Sequence, residues 1–336
     1  MFYHRRIKEQ RVKSFTVTRN DAGQRLDKFL SKSAPLCPKS AIYKGIRTKN
    51  IKVNRKRATI DMKLREGDVV DAYLNDEFFK PAAPKYDFLS ASPKIRVVYE
   101  DENILLVDKP QGVLVHPDKN EYNDTLIARI QHYLYLKGEY DPDAENSFRP
   151  ALANRIDRGT GGIVIAAKNA ESLKILCDKI KNREIDKRYL AVTDGIPPKK
   201  SGEISGFLEK NEEKNRVFLK SSMNENTKSS LTRYRVICEK GNRALIEVKL
   251  ITGRTHQIRV HMASVGCPLL GDGKYGKNGK SKKEGFSRQA LYSYSLTFKF
   301  TSDGGILNYL DKKTFRVPSV WFAKELFGID VEDIIG

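Results

Sequence analysis

The apolar positions fall into helical spacing first. Leu26, Phe29 and Leu30 recur at the period that lines one face of a helix, with Asp21 upstream as its cap. Pro38 can open a second helix, because its missing N–H falls where no intrahelical partner exists; Ser40 sits early in it, and Ile42 and Ile46 form its inner face. The alternating Ile51-Lys52-Val53-Asn54 reads as a strand and Arg55-Lys56-Arg57 as a basic turn. Leu64, the Glu66-Gly67-Asp68 turn and residues 69–74 complete a small sheet. Residues 76–92 mix Pro, Ala and Ser without any period and read as a linker.

A larger body follows over residues 93–325. Strands are predicted at 95–100 and 104–110, joined by the Asp101-Glu102-Asn103 turn and ended by Pro110 and Gly112. A helix starting near Asn123 places Leu126, Ile127, Ile130 and Leu134 on one face, and a loop covers 137–150. A glycine-rich loop then runs into an apolar strand ending near Lys168. Asn169 caps an amphipathic helix with Leu173, Leu176 and Ile180 inward. Further strands are predicted at 187–195, 243–253 and 289–300, with polar hairpins over 200–235 and a terminal helix over 319–328. The segment 255–266 reads as a short helix with Thr255 as its cap and Ile258, Met262 and Val265 buried. Strands run in groups with few helices between them, which predicts an α+β fold.

Charge divides the 336 residues the same way. The chain carries 62 Lys+Arg against 42 Asp+Glu, a net charge of +20, and its first 75 residues hold 19 of the basic and 7 of the acidic residues. Such an excess on one short unit suits a polyanion, either nucleic acid or an anionic membrane surface. Lys39, Ser40, Lys44 and Arg47 on the second helix and Arg55 in the turn are the candidate residues for binding RNA or DNA. Spread over a folded unit, these charges do not form the single face of a membrane-surface helix. No apolar run is long enough to span a bilayer, and the start lacks the apolar region of a secretory signal. The four cysteines, Cys37, Cys177, Cys238 and Cys267, are scattered with no CxxC; they read as core residues of a cytoplasmic protein, not as a disulfide framework or zinc site.

Several motifs fail on their spacing. Gly159-Thr160-Gly161-Gly162 is not GxGxxG and precedes its strand, so it is not a dinucleotide loop. The run from Gly271 to Gly276-Lys277 resembles a phosphate loop but ends in Asn278, without the hydroxyl that would hold magnesium. His256 and His261 are five residues apart and diverge on a helix, so no metal site is expected. Asp157 has no evident second carboxylate for glycoside hydrolysis.

Three segments carry the remaining chemistry. Residues 154–162 place Asp157 between Arg155 and Arg158 in a glycine-rich loop; alone, that is a loop salt bridge. Residues 187–191 open a strand with Tyr189; alone, that is a core tyrosine. Residues 252–261 place Arg254, His256 and Arg259 at a helix start, as suits an anion or an internal polar network. In this order, together with residues 99–117, they resemble the RluA family of RNA pseudouridine synthases over about 93–325. Residues 14–75 resemble the S-four type of RNA-binding domain.

The resemblance implies a pseudouridine synthase fold, with a central mixed, largely antiparallel sheet plus the small α/β domain. It implies isomerisation of uridine in RNA, most readily large-subunit ribosomal RNA, with no cofactor or metal; a monomer is expected, though no motif speaks to it. Carried over by motif, Asp157 is the essential carboxylate, Tyr189 packs on the base and takes its carbon-5 proton, and Arg259 pairs with Asp157. Arg155, Arg254 and His256 would contact RNA. Two positions depart from the family pattern: Asn154 and Cys267 stand where His is frequent. A non-catalytic RNA-binding assembly factor and an enzyme acting on transfer RNA remain the alternatives.

Overall fold

In the N-terminal module, the apolar residues read above fill one core between two helices and a sheet. A computed structural model describes residues 12–119, 121–276 and 285–334; the basic stretch 1–11 and Lys277 and Asn278 lie outside them. The module contains β1 (Lys13–Thr16), α1 (Leu26–Ser33), α2 (Lys39–Arg47), β2 (Ile51–Val53), β3 (Lys56–Arg57) and β4 (Val69–Ala72), in the antiparallel order β1-β4-β2-β3. Leu26, Phe29, Leu30, Ile42 and Ile51 are fully buried in it.

Asp21 does not cap α1. Arg25 occupies the cap position, and no side chain caps the helix there. The buried Asp21 carboxylate accepts instead from the Thr18 amide and hydroxyl and, across to the body, from Asn146 Nδ2 (2.8 Å) and Ser147 Oγ. Asn20 reinforces this seam: its Oδ1 accepts from the amide of Ala170, and its Nδ2 donates to Glu145. Residues 76–92 are not an open tether. They form two short 3-10 turns, Asp76–Phe79 and Asp87–Ser90. Phe78 and Phe79 pack on the module's core, while Phe88, only 1 % exposed, is buried in the body beside Tyr135 and Tyr140. The aromatic residues of the segment each find a core to enter, which its Pro and Ser content hides.

The body contains β5 (Val97–Glu100), β6 (Ile104–Lys109), α3 (Leu126–Leu136), β7 (Ala151–Leu152), β8 (Gly161–Ala167), α4 (Ala170–Lys181), β9 (Ile185–Asp194), β10 (Ser201–Asn211), β11 (Arg216–Lys220), β12 (Thr227–Lys240), β13 (Arg243–Leu250), α5 (Gln257–Ser264), β14 (Leu291–Phe298), β15 (Thr314–Arg316) and α6 (Trp321–Phe327). Its sheet runs β11-β10-β12-β13-β9-β14-β8-β6-β5, with β15 on β14 and β7 on β8. Among the described residues every pairing is antiparallel except β14 with β8. Both faces are covered. Ile104, Leu106, Ile163 and Ile165 face Leu176 of α4 and Phe322 of α6. Leu105, Val107, Val164 and Ala166 face Leu126, Ile130 and Leu134 of α3. On α3's side of the sheet, Ala191, Ile246 and Val248 pack with Ile258 and Met262 of α5. A strand buried on both faces reads as a continuous apolar run, as 104–107 and 163–167 do.

Local details adjust the helix ends. α3 begins after Thr125, whose Oγ1 accepts from the Ala128 amide, so it starts later than Asn123. Asn169 caps α4 as expected, accepting from the Ser172 amide. Cys37 and Cys267 are buried, but Cys177 is exposed on α4 and Cys238 is half-buried. No helix among the described residues is long and apolar enough to cross a membrane.

The glycines that open β8 are explained by its parallel contact with β14. A Cβ at Gly161 would lie 2.2 Å from the Tyr292 ring, and one at Gly162 (φ +109°) would lie 2.2 Å from the Ser293 carbonyl oxygen. Backbone cannot yield as a flexible side chain can, so Gly162→Ala should lower stability by about 3 kcal/mol or more, read as a lower urea midpoint. Asp21→Ala should leave both cores folded but loosen the seam between them. The measurement is protease cleavage within 76–92, expected to be faster than in the wild type; an unchanged rate would refute the seam's role.

Candidate active site

Asp157 lies in the loop that leads from β7 into β8. The loop is held from several sides. Gln111 Nε2 donates to the carbonyls of Gly159 and Gln289, both at 2.8 Å, and the Gly112 amide donates to the Arg158 carbonyl at 2.7 Å. Arg158 Nε returns a bond to the Gly112 carbonyl. Asn154 Oδ1 accepts from the Ile165 amide at 2.8 Å, which gives that position a backbone-holding role. Ile156 packs against both the α3 and the α5 clusters, so the neighbouring residue is fixed in space.

Beneath the loop, Lys109 is fully buried. Its Nζ donates to the carbonyls of Pro110, Val113 and Arg158, which uses all three protons of an ammonium. Burial pulls it down to about 7, against the opposing pull of the Asp157 and Asp108 carboxylates.

Arg259 on α5 joins two carboxylates. Its Nε and Nη2 donate to Asp272 at 2.7 and 2.8 Å, and its Nη1 donates to Asp157 Oδ2 at 3.0 Å. Asp272 has no side-chain exposure and also accepts from the amides of Lys274 and Tyr275. Burial alone would raise its carboxyl, but the Arg259 bonds and charge and the two amides hold it below the usual range. Burial likewise opposes the Arg259 charge, and the two carboxylates outweigh it and raise the guanidinium. The Asp157 side chain keeps 26 % exposure, so one side of it is open.

His256, not Thr255, directly precedes α5, in the left-handed region at φ 53° and with no side-chain cap. The chain is secured there by Gln257, whose Oε1 accepts from Thr252 Oγ1 and the Arg254 amide. His256 Nε2 lies 3.8 Å from Asp157 Oδ2, and its Nδ1 lies 2.9 Å from Tyr275 Oη. The Tyr275 ring lies 5.2 Å from the Arg259 guanidinium carbon and 5.1 Å from that of Arg216. His261 turns into the core between Ser230 and Thr232.

Tyr189 is buried on β9, paired across to Ser293 of β14 and Val248 of β13. Burial pushes its phenol up to about 12, eased by Ser293 and reinforced by the nearby Asp157 charge. The structure thus gathers Asp157, Tyr189, Arg259 and His256. Arg155 is exposed two residues from Asp157, close enough to His116 to add to the burial that lowers that imidazole. Arg254 is exposed and bonds the Ser229 carbonyl, without contacting Asp157. Cys267 is packed in the core, not in the cleft. In the module, Ser40, Lys44 and Arg47 line a groove of about 620 Å³ with Tyr43, Arg57 and Ile60. Lys39 and Arg55 are exposed outside that lining.

Lys109, Asp272 and Tyr275 were missed from the sequence as site residues. Asp272 and Tyr275 stand inside the run set aside as a failed phosphate loop, and Lys109 ends an apolar strand. A charged residue closing so apolar a stretch was the available signal.

A partly open carboxylate held by arginine, beside a buried tyrosine and joined to a basic module, suits an enzyme that acts on a polyanion. Comparison with known proteins agrees. Residues 103–264 match the RNA pseudouridylate synthase family model, and residues 24–70 match that of the S4 domain. The chain is 34 % identical to an uncharacterized RNA pseudouridine synthase of Mycoplasma capricolum, covering 92 % of this chain and 99 % of that one. It is 32 % identical to the ribosomal large subunit pseudouridine synthase D of Borreliella burgdorferi, over 85 % of each chain. It is also 32 % identical to the ribosomal large subunit pseudouridine synthase C of Haemophilus ducreyi, over 86 % of this chain and 88 % of that one. The structure of human RNA pseudouridylate synthase domain containing 1 shares the fold, with a TM-score of 0.55 and 22 % identity over 70 % of this chain and 87 % of that one. The chain belongs to the RNA pseudouridine synthase family.

The Arg259–Asp272 pair has a pH signature. Because the folded carboxyl lies below its unfolded value, its stabilisation is complete above about pH 4 and is lost as pH falls through the folded value. Asp272→Asn should cost about 3 kcal/mol at pH 7, by leaving a buried guanidinium half-paired. The gap between wild type and variant should narrow below about pH 4 in urea titrations; a gap independent of pH would refute the assignment.

Proposed function

We propose that the protein converts uridine to pseudouridine in large-subunit ribosomal RNA, with Asp157, Tyr189 and Arg259 at the reacting base. The observation that carries this reading is the 3.0 Å bond from Arg259 to a carboxylate that remains partly open. The bond orients the carboxylate, and its open side can meet a nucleotide. The names of the Borreliella and Haemophilus relatives support the large-subunit target.

The target uridine is flipped from its stack into the cleft, since its reacting atoms are out of reach inside a helix. Arg155, exposed at the loop, fills the space it leaves. Asp157 assists breakage of the bond between C1′ and N1, with the electron pair going to N1. The base turns on the ring of Tyr189, and carbon 5 bonds to C1′. The carbon-5 proton then leaves and N1 gains one, so the product is an isomer and no oxidant or reductant is consumed. A phenol near 12 is neutral at neutral pH, so Tyr189 acts as a relay, taking the carbon-5 proton as it hands on its own. Lys44, Arg47 and Arg57 along the module's groove bind phosphate, adding salt-dependent affinity without reading bases.

The test uses ribosomal transcript labelled with tritium at uridine carbon 5. The wild type should release tritium, and Asp157→Ala should release none. Tyr189→Phe should bind RNA within about twofold of wild type yet react at least about 100-fold more slowly. Release from transfer RNA alone would overturn the ribosomal target, and release from no RNA would overturn the activity.

A further inference from the structure

We propose that His256 and Tyr275 are positioning residues that fix one oxygen of the Asp157 carboxylate, so that its other oxygen is the one presented to the nucleotide. This rests on Asp157 being the reacting group. Two donors converge on the same atom: Arg259 Nη1 at 3.0 Å and His256 Nε2 at 3.8 Å both address Oδ2. Among the described residues, no group hydrogen-bonds Oδ1. A closure of about 0.8 Å makes the histidine contact a hydrogen bond of ordinary length, the kind of tightening that accompanies substrate binding.

The proton on His256 is placed by its neighbours. Tyr275 Oη already accepts from the Val217 amide at 2.8 Å. Its own proton has one acceptor among the described residues, His256 Nδ1 at 2.9 Å. Nδ1 is then the accepting nitrogen, and Nε2 carries the ring proton toward the carboxylate. The opposite tautomer would set a lone pair of Nε2 against the negative oxygens of Asp157. The two constraints, one from each ring nitrogen, select the same tautomer. Burial, ahead of nearby charges, holds the imidazole down to about 4, so it is a neutral donor and not a second cation beside Arg259. The left-handed backbone at His256 is strained for a non-glycine residue, and the anchored Gln257 beside it maintains that geometry. Through Val217 the relay reaches β11, so the hairpin of β10 and β11 and the carboxylate are joined by two hydrogen bonds and the 3.8 Å contact of His256 with Asp157.

Nitrogen-15 NMR of the histidine side chains tests the tautomer in the full-length protein without substrate. The chain has five histidines, and His256 is assigned by the signal lost in His256→Gln. The wild type should show the Nε2–H form, and Tyr275→Phe should shift it toward a mixture. In the tritium-release assay on ribosomal transcript, His256→Ala and Tyr275→Phe should slow single turnover about 10- to 100-fold, with RNA affinity within about twofold of wild type. His256→Gln, whose amide can replace the Nε2–H donor, should recover part of the rate. An Nδ1–H tautomer in the wild type, or a wild-type rate in His256→Ala, overturns the proposal. So does a loss accounted for wholly by RNA affinity. A wild type that releases no tritium from any ribosomal or transfer RNA overturns the function proposed above, while the NMR result still decides the placement of the proton.

Discussion

A guanidinium has several N–H donors in a rigid plane, and Arg259 divides them between two carboxylates of opposite character. The fork of Nε and Nη2 is committed to Asp272, which is wholly buried and takes two backbone amides besides. The remaining Nη1 is spent on Asp157, which keeps a quarter of its surface open. A buried arginine with one partner would be free to swing; with Asp272 holding its plane, it can address Asp157 in one direction only. The saturated carboxylate therefore supplies rigidity, and the other keeps an open side. The loop of residues 153–160, α5 and the turn at 271–276 all have to meet at this ion pair.

The sheet makes that meeting possible. Asp157, Tyr189, Arg259 and Asp272 are far apart in the chain, and they converge because β8, β14 and β9 are adjacent at its centre. The parallel contact of β8 with β14 brings the end of the Asp157 loop beside Ser293, which lies opposite Tyr189. That approach leaves no room for a Cβ at Gly161 or Gly162. The glycines of the Gly159–Gly162 run thus serve close strand packing where a phosphate would have been the other reading.

What was legible in the sequence was local. α4 declares itself through Asn169 and its apolar spacing, because cap and period lie within a few residues of each other. The strands at 104–107 and 163–167 show as apolar runs because both faces are covered. The assignments that failed depended on distant partners. Asp21 has the right chemistry for a cap, but Asn146 and Ser147, more than a hundred residues away, claim its carboxylate. Thr255 lost its role because His256 takes the left-handed turn into α5. The pairing of Asp157 with Arg259 came from a family resemblance, and the spacing of 102 residues carries no local signal for it. Asp272 was hidden for the same reason: a buried acceptor can be recognised only once its donors are in place.

The seam between module and body is of a different kind from either core. Among the described residues its bonds are polar: Asn20 with Glu145 and the Ala170 amide, Gln24 with Ser147, Asp21 with Asn146 and Ser147, and Arg19 with Glu171. The module's apolar residues meet one another and, through Phe78 and Phe79, the start of the connecting segment. An interface of hydrogen bonds exchanges readily with water, where a fused apolar core would not. The phosphate grip proposed for Lys44, Arg47 and Arg57 and the chemistry proposed at Asp157 are then separable in energy, each resting on its own core. The concentration of basic residues in the first 75 positions acquires a physical meaning on this basis. Among the described residues, the module's core and the one that holds the arginine clamp are separate.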